Sequence, residues 1–93
     1  VSKLFNENSY DLLGLRTETN KENNGVLILD INNKSNAFSK NIRKGDIITE
    51  IGNESIKSYE DYKLILQDYK AGDAIMIRIL SSGNARYEAF EIN

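Results

Sequence analysis

The sequence contains no cysteine, histidine, tryptophan or proline. Without cysteine there is no disulfide framework and no thiolate metal site. The missing histidine removes the commonest general base and metal ligand, and with it every triad of the usual kinds. No serine sits in a glycine-rich elbow of the kind that activates a nucleophile. The glycines at 14, 25, 45, 52, 72 and 83 fit neither a phosphate loop nor a dinucleotide fingerprint. The carboxylates lack calcium-loop spacing. Charge of one sign is also missing: 12 basic residues stand against 14 acidic ones, a net charge of −2. That balance argues against nucleic acid as a partner, since phosphate binding needs clustered Lys and Arg. No apolar run approaches the roughly 18 residues that cross a bilayer, and no signal-peptide pattern is present, so direct membrane insertion is not expected. Isoleucine and asparagine occur twelve times each. A bias of that kind follows nucleotide composition, and the absent prolines are read as part of it.

What is present suits one small domain. The 93 residues are 40% hydrophobic and 28% charged, enough for a single compact core. The chain starts at Val1 rather than Met and is expected to be a piece of a longer protein. Residues 1–9 are polar apart from Val1, Leu4 and Phe5 and read as a linker or a loosely docked N-terminal segment. Leu12-Leu13-Gly14-Leu15 then sets one glycine among bulky aliphatics. Such a glycine lets successive N–H groups turn toward one point and form an anion-binding hollow. A strand is expected over 15–19, where Thr17 and Thr19 favour extended backbone. After a polar loop, Asn24-Gly25 is a strong hairpin signal. Val26-Leu27-Ile28-Leu29-Asp30-Ile31, apolar on both faces over most of its length, predicts a central strand covered on two sides.

Ser35 is a cap for a short helix reaching Asn41, with Ala37 and Phe38 inward. Lys44-Gly45-Asp46 is a turn into a strand over 47–51, Gly52-Asn53 turns again, and Ile56 lies in a short extended piece. The clearest helix starts at the Ser58 cap, with Asp61 at the third helical position as in a capping box. Tyr59, Tyr62, Ile65, Leu66 and Tyr69 recur on one face, Lys70 falls in the last turn and Gly72 terminates it. Ile75, Ile77 and Ile79 alternate with Met76, Arg78 and Leu80 at strand period. Ser82-Gly83-Asn84 turns into a last strand over 87–92. Phe90 and Ile92 face inward there, and the shared phase of Arg86 and Glu88 calls for a bulge or emergence from the core. Glu60-Asp61 is explained by capping, not acid/base chemistry, because adjacent helix positions point apart. Asp46 and Asp73 are explained by turn chemistry.

This ordered set resembles a PDZ domain, with the closest likeness to those of bacterial HtrA/Do-type (Deg) serine proteases. The likeness rests on Leu12-Leu13-Gly14-Leu15, Gly25-Val26-Leu27-Ile28, Lys44-Gly45-Asp46-Ile47-Ile48, the Ser58-capped helix and Gly72-Asp73, and it covers residues 10–92. It implies an α+β, mainly β fold: a small, partly open β-barrel or sandwich of five to six strands with one short and one long helix, over 10–93. It also implies a groove between the strand at 15–19, the family's second, and the long helix. A C-terminal peptide would add there as a strand with its carboxylate on the 12–15 loop. Carried over by position, Leu12, Leu13, Gly14 and Leu15 make the carboxylate loop. Leu15, Arg16 and Thr17 come from the strand, and Tyr59, Lys63 and Leu66 from the helix. Leu13, Leu15 and Leu66 would line a pocket for the last peptide side chain.

Several positions depart from the family. Tyr59 stands where a histidine selects Ser or Thr in some members, so an apolar or aromatic preference is expected. Asp11 adjoins the loop and would repel an anion unless Arg16 or Lys63 offsets it. Phe38 replaces a small residue and is expected to pack against Ile42. The resemblance implies a non-catalytic, cofactor-free and metal-free module of a periplasmic, trypsin-like serine protease-chaperone. It would bind C-terminal or unfolded-protein peptides and work with the protease domain and other subunits of the parent. A different class of reading is a structural domain with an occluded groove that assembles subunits. A third is the PDZ domain of another bacterial membrane protease or secretion component. The chain's end, one residue past the last strand, favours the terminal PDZ domain of its parent.

Overall fold

The structure, a computed structural model, describes residues 10–22 and 24–93. The segment 1–9, expected as a linker or docked strand, lies outside the described residues. Six strands and two helices follow in the order β1 (Leu15–Thr19), β2 (Val26–Ile31), α1 (Asn36–Ser39), β3 (Ile47–Ile51), β4 (Glu54–Ser55), α2 (Tyr59–Leu66), β5 (Ala74–Ser81) and β6 (Asn84–Glu91). The strands join in the sheet order β1-β2-β3-β5-β6, with β4 pairing only β3. All pairings are antiparallel, which short hairpins permit and parallel pairing would not. The fold is therefore α+β with a partly open sheet. The two helices pack at its opposite ends, α1 on β6 and α2 on β1.

Strand period decides what the sheet buries. Ile75, Ile77 and Ile79 on β5, Val26 and Ile28 on β2, and Ile48 and Ile51 on β3 are each at most 2% exposed. Ile42, Ile56, Tyr62, Leu66, Phe90 and Ile92 close the same core from the loops, α2, β6 and the chain's end. Each such aliphatic side chain contributes about 1.5–3 kcal/mol when fully buried. β2 lies inside the sheet as expected, but it is not covered on both faces: Leu29 is 44% exposed. Leu29 is the extra residue of a bulge, since Arg16 pairs Asp30 while Thr17 pairs Ile28.

Two tight hairpins explain themselves. Gly52 and Asn53 both have positive φ, as do Ser82 and Gly83, the requirement of the two-residue turn whose twist matches the strands. The order Gly-Asn works at 52–53 because Asn tolerates the left-handed region. The β1–β2 hairpin needs a longer loop, closed by the Asn20 N–H donating to the Gly25 carbonyl.

Both helices are shorter than the sequence suggests. Ser35 caps α1 by accepting from the Phe38 N–H, but the helix ends at Ser39. Ala37 is buried, while Phe38 turns out under the Arg43 guanidinium, 3.8 Å from the ring centroid, rather than packing inward against Ile42. In α2 the Ser58 hydroxyl accepts from the Asp61 N–H, and the Asp61 carboxylate reaches back to the Lys57 N–H. This helix ends at Leu66, not near Lys70. Asp68 and Tyr69 continue as tight i→i+3 turns, and Asp73 captures the Lys70 N–H at 2.9 Å. That local bond competes with a further helical turn. Along β6 the pairing with β5 runs unbroken from Asn84 to Glu91, so of the two alternatives at Arg86 and Glu88 the bulge is absent and both side chains emerge part-exposed. The two side chains form an ion pair at 2.7 Å.

Candidate functional site

β1 is the terminal strand of the sheet. Among the described residues no strand pairs its outer edge. Side-chain period puts Leu15, Thr17 and Thr19 on the face turned to α2, and Thr19 Oγ1 accepts the Tyr59 N–H at 2.9 Å. One end of α2 is thus pinned to the end of β1, and the bond satisfies one of the unpaired N–H groups of the helix's first turn. The other tie is Tyr62, whose hydroxyl donates to Asp11 Oδ2 at 2.6 Å. Between the 11–12 segment that leads into β1 and the face of α2 lies an open groove of about 260 Å³ lined by Asp11, Leu12, Tyr59, Tyr62, Lys63, Leu66 and Gln67. Tyr59 is 37% exposed at its rim, with the Lys63 Nζ 5.7 Å from the ring centroid, within cation–π range.

The backbone polarity of β1 follows from its ends. The Asn20 N–H bonds toward β2, at Gly25. Both the N–H and the carbonyl of Leu15 bond away from β2, to Asp11. Alternation then turns the N–H and carbonyl groups of Thr17 and Thr19 outward along the groove.

The 12–15 loop is built around Gly14. Its φ is +82°, and a Cβ there would lie 2.7 Å from Ser35 Cβ, so only glycine fits without strain. The Gly14 N–H donates to the Asp11 carbonyl at 2.9 Å, and its own carbonyl accepts from the Asn32 N–H at 2.8 Å. Asp11 Oδ1 accepts from the Leu13 N–H at 2.9 Å and the Leu15 N–H at 3.1 Å. The Asp11 N–H donates to the Leu15 carbonyl at 3.0 Å. Burial raises the Asp11 pKa above the usual carboxylate value, although the Tyr62 hydroxyl and the loop amides pull it the other way. Tyr62 is 1% exposed. Burial first, and then the Asp11 charge, hold its phenol well above the ordinary tyrosine range, so it stays a donor across physiological pH.

The residues expected at the groove fall into three groups. Leu12, Tyr59, Lys63 and Leu66 line it together. Leu13 and Leu15 lie in the core beneath, 2% and 1% exposed, and only their backbone belongs to the loop surface. Arg16 turns to the opposite face of β1 and pairs with Asp30 at 3.2 Å. It therefore does not offset Asp11. The Thr17 hydroxyl is buried, with no partner in hydrogen-bond geometry among the described residues, on the side of β1 that faces Tyr62. Two residues carry more of the site than the sequence reading gave them. Tyr62, read there as packing, supplies a hydroxyl, and Asp11, read as a source of repulsion, is the acceptor for the loop. An Asp two residues before a turn amide is a known local acceptor, which was the available signal. Among the described residues no group of three or more potential metal ligands occurs, and no helix is long and apolar enough to cross a membrane.

A glycine-centred loop, a strand edge unpaired among the described residues and a helix laid beside it make up the architecture of this end of the sheet. The family model for the PDZ domain matches residues 12–89, and the chain belongs to that family. Among curated proteins, those described as probable periplasmic serine endoprotease DegP-like from Brucella suis biovar 1 and from Brucella melitensis biotype 1 are each 31% identical over 85 residues. The match covers 89% of this chain and 17% of theirs, so the chain spans about a sixth of the length of these relatives. A solved structure of the HtrA3 PDZ domain bound to a phage-derived ligand, FGRWV, superimposes with a TM-score of 0.67 at 14% identity, covering 86% of this chain and 80% of that one. At that identity the likeness concerns the fold.

Proposed function

We propose that the domain binds extended peptide segments by adding them as a strand to the outer edge of β1, with their side chains in the groove under α2. The supporting observation is the outward-facing backbone of Thr17 and Thr19, unpaired among the described residues, on the strand that α2 packs against and is pinned to through Tyr59 and Thr19. Main-chain bonds to such an edge supply affinity, and the groove side chains supply selectivity. The aromatic rim favours apolar or aromatic guests. In this reading the parent is a periplasmic serine endoprotease, as its Brucella relatives are described. The domain captures unfolded or C-terminal segments for a separate protease domain.

One added strand and one buried side chain suit a micromolar dissociation constant, about −8 kcal/mol. Fluorescence titration with the pentapeptide FGRWV, as the free acid and as the C-terminal amide, tests the reading. Binding in the micromolar range supports it; no binding of either form up to about 1 mM, equivalent to roughly −4 kcal/mol, overturns it. The pins at Tyr59–Thr19 and Tyr62–Asp11 favour a second reading, in which α2 stays against β1 and the domain holds subunits of its parent together. Sedimentation showing self-association with no peptide binding would select it.

A further inference from the structure

Three aspartates in this chain accept backbone N–H groups, and one of them differs from the other two. Asp46 accepts from Arg43 and Asp73 from Lys70, each three residues back within its own turn. Asp11 accepts from two amides of the glycine loop and also from the Tyr62 hydroxyl, 51 residues away on α2. Its carboxylate lies in the wall of the groove. A third loop donor, the Gly14 N–H, goes to the Asp11 carbonyl, and the Leu15 carbonyl takes the Asp11 N–H. Every one of these polar groups that a guest's terminus would meet at the glycine loop is thus already bonded to one residue.

We infer that Asp11 is a built-in carboxylate that fills the anion hollow of the 12–15 loop, so that the groove accepts internal extended segments as readily as free C termini. The inference rests on the strand-addition reading above and narrows its ligand class. A guest carboxylate entering here must displace hydrogen bonds already made and approach a second negative charge in a partly dry site, where like charges repel strongly. Arg16 is committed to Asp30 and the Lys63 ammonium lies over the Tyr59 ring, so neither side chain neutralises Asp11. The outward backbone groups of Thr17 and Thr19 are untouched by Asp11. A strand that passes through the groove without ending there can use them.

The test uses FGRWV as acid and amide on the wild-type chain and on Asp11→Ala. The wild type is expected to bind both forms within about twofold, because no added hydrogen bond rewards the terminus. Asp11→Ala is expected to prefer the acid by about tenfold or more, because the emptied amides then take the guest carboxylate. A tenfold acid preference in the wild type overturns the inference, and so does an unchanged ratio in Asp11→Ala. Should Asp11→Ala not fold, amide-resolved NMR on the wild type decides. Thr17 and Thr19 N–H signals are expected to shift with either peptide while those of Leu13 and Leu15 stay put; movement of Leu13 and Leu15 with the acid alone overturns the inference. Binding of neither peptide to either protein removes the strand-addition reading and this inference with it. An acid preference removes only this inference.

Discussion

The two edges of the sheet receive opposite treatment. At β6 the outer edge is held by polar pins: the Asn36 amide donates to the Glu91 carbonyl at 2.6 Å, and the Arg86 guanidinium to the Asn41 carbonyl at 2.9 Å. Charged side chains of Arg86, Glu88 and Glu91 stand along the same strand. Pins and charges of this kind discourage a sheet edge from pairing with another chain. Among the described residues no such pin holds the middle of the β1 edge, and α2 is set beside the strand. A sheet edge is a hazard by default. The contrast is between one edge that is guarded and one that, in the proposed reading, serves as a binding site.

Breaking one edge at a time gives the largest expected effect. The Thr17 N–H faces the groove, whereas the Ala89 N–H faces away from β5 on the guarded side, since the neighbouring Ile92 N–H bonds inward to Asp73. Thr17→Pro removes a ladder donor and should weaken peptide binding by roughly thirtyfold or more, about 2 kcal/mol. Ala89→Pro makes the same chemical change on the other edge and should leave the affinity within about twofold. Calorimetric titration, with circular dichroism to check folding, measures both. Equal losses would mean that the peptide does not use β1.

The next effects are on stability. Tyr62→Phe keeps the buried ring but deletes the hydroxyl that donates to Asp11. Losing a hydrogen bond to a charged group should cost about 1.5–2.5 kcal/mol in urea unfolding. On the other edge, Asn36→Ala deletes the bond to the Glu91 carbonyl, a neutral and more exposed contact, and should cost about 0.5–1 kcal/mol with peptide affinity unchanged. A cost for Asn36→Ala as large as that for Tyr62→Phe would mean that the two edges are held equally firmly.

The difference between the edges was only partly legible in the sequence. Strand alternation at Ile75, Ile77 and Ile79, the Ser58 cap and the Gly14, Gly25 and Gly45 punctuation are local signals, and the elements they mark are where those signals put them. That Tyr59, Lys63 and Leu66 share a helical face was legible too, and the three line one cavity; their contact with a peptide belongs to the proposal. What sequence could not supply is partner choice across long separations. Arg16 could have faced Asp11 as readily as Asp30, and the choice depends on which side of β1 it points. Tyr62 looked like any core aromatic until the fold brought its hydroxyl to Asp11. The helix ends at Leu66 because Asp73 competes for the Lys70 N–H, a local bond that apolar periodicity does not register.

The smallest effect is a slope with pH, and it isolates the β1 side of the contrast. Burial raises the pKa of Asp11 above the value of 3.8 that it has when exposed, against opposition from the Tyr62 hydroxyl and the loop amides. The folded chain therefore holds this proton more tightly than the unfolded chain does. Stability from this group is fully present below pH 3.8 and is lost as pH rises through the raised value. Asp11→Asn keeps an oxygen acceptor but cannot ionise. The stability of Asp11→Asn minus that of the wild type should thus grow in the variant's favour as pH rises across that window and stay level above it. Tyr59, Tyr62 and Lys63 face Asp11 from α2, and Tyr10 adjoins it in the chain; Tyr62, held well above the ordinary tyrosine range, keeps its proton throughout this window. Urea midpoints measured at half-unit steps from acid to neutral pH give the curve. A difference that shrinks with rising pH would mean that the hydrogen bonds outweigh burial and that the ionised carboxylate is the favoured form in this loop.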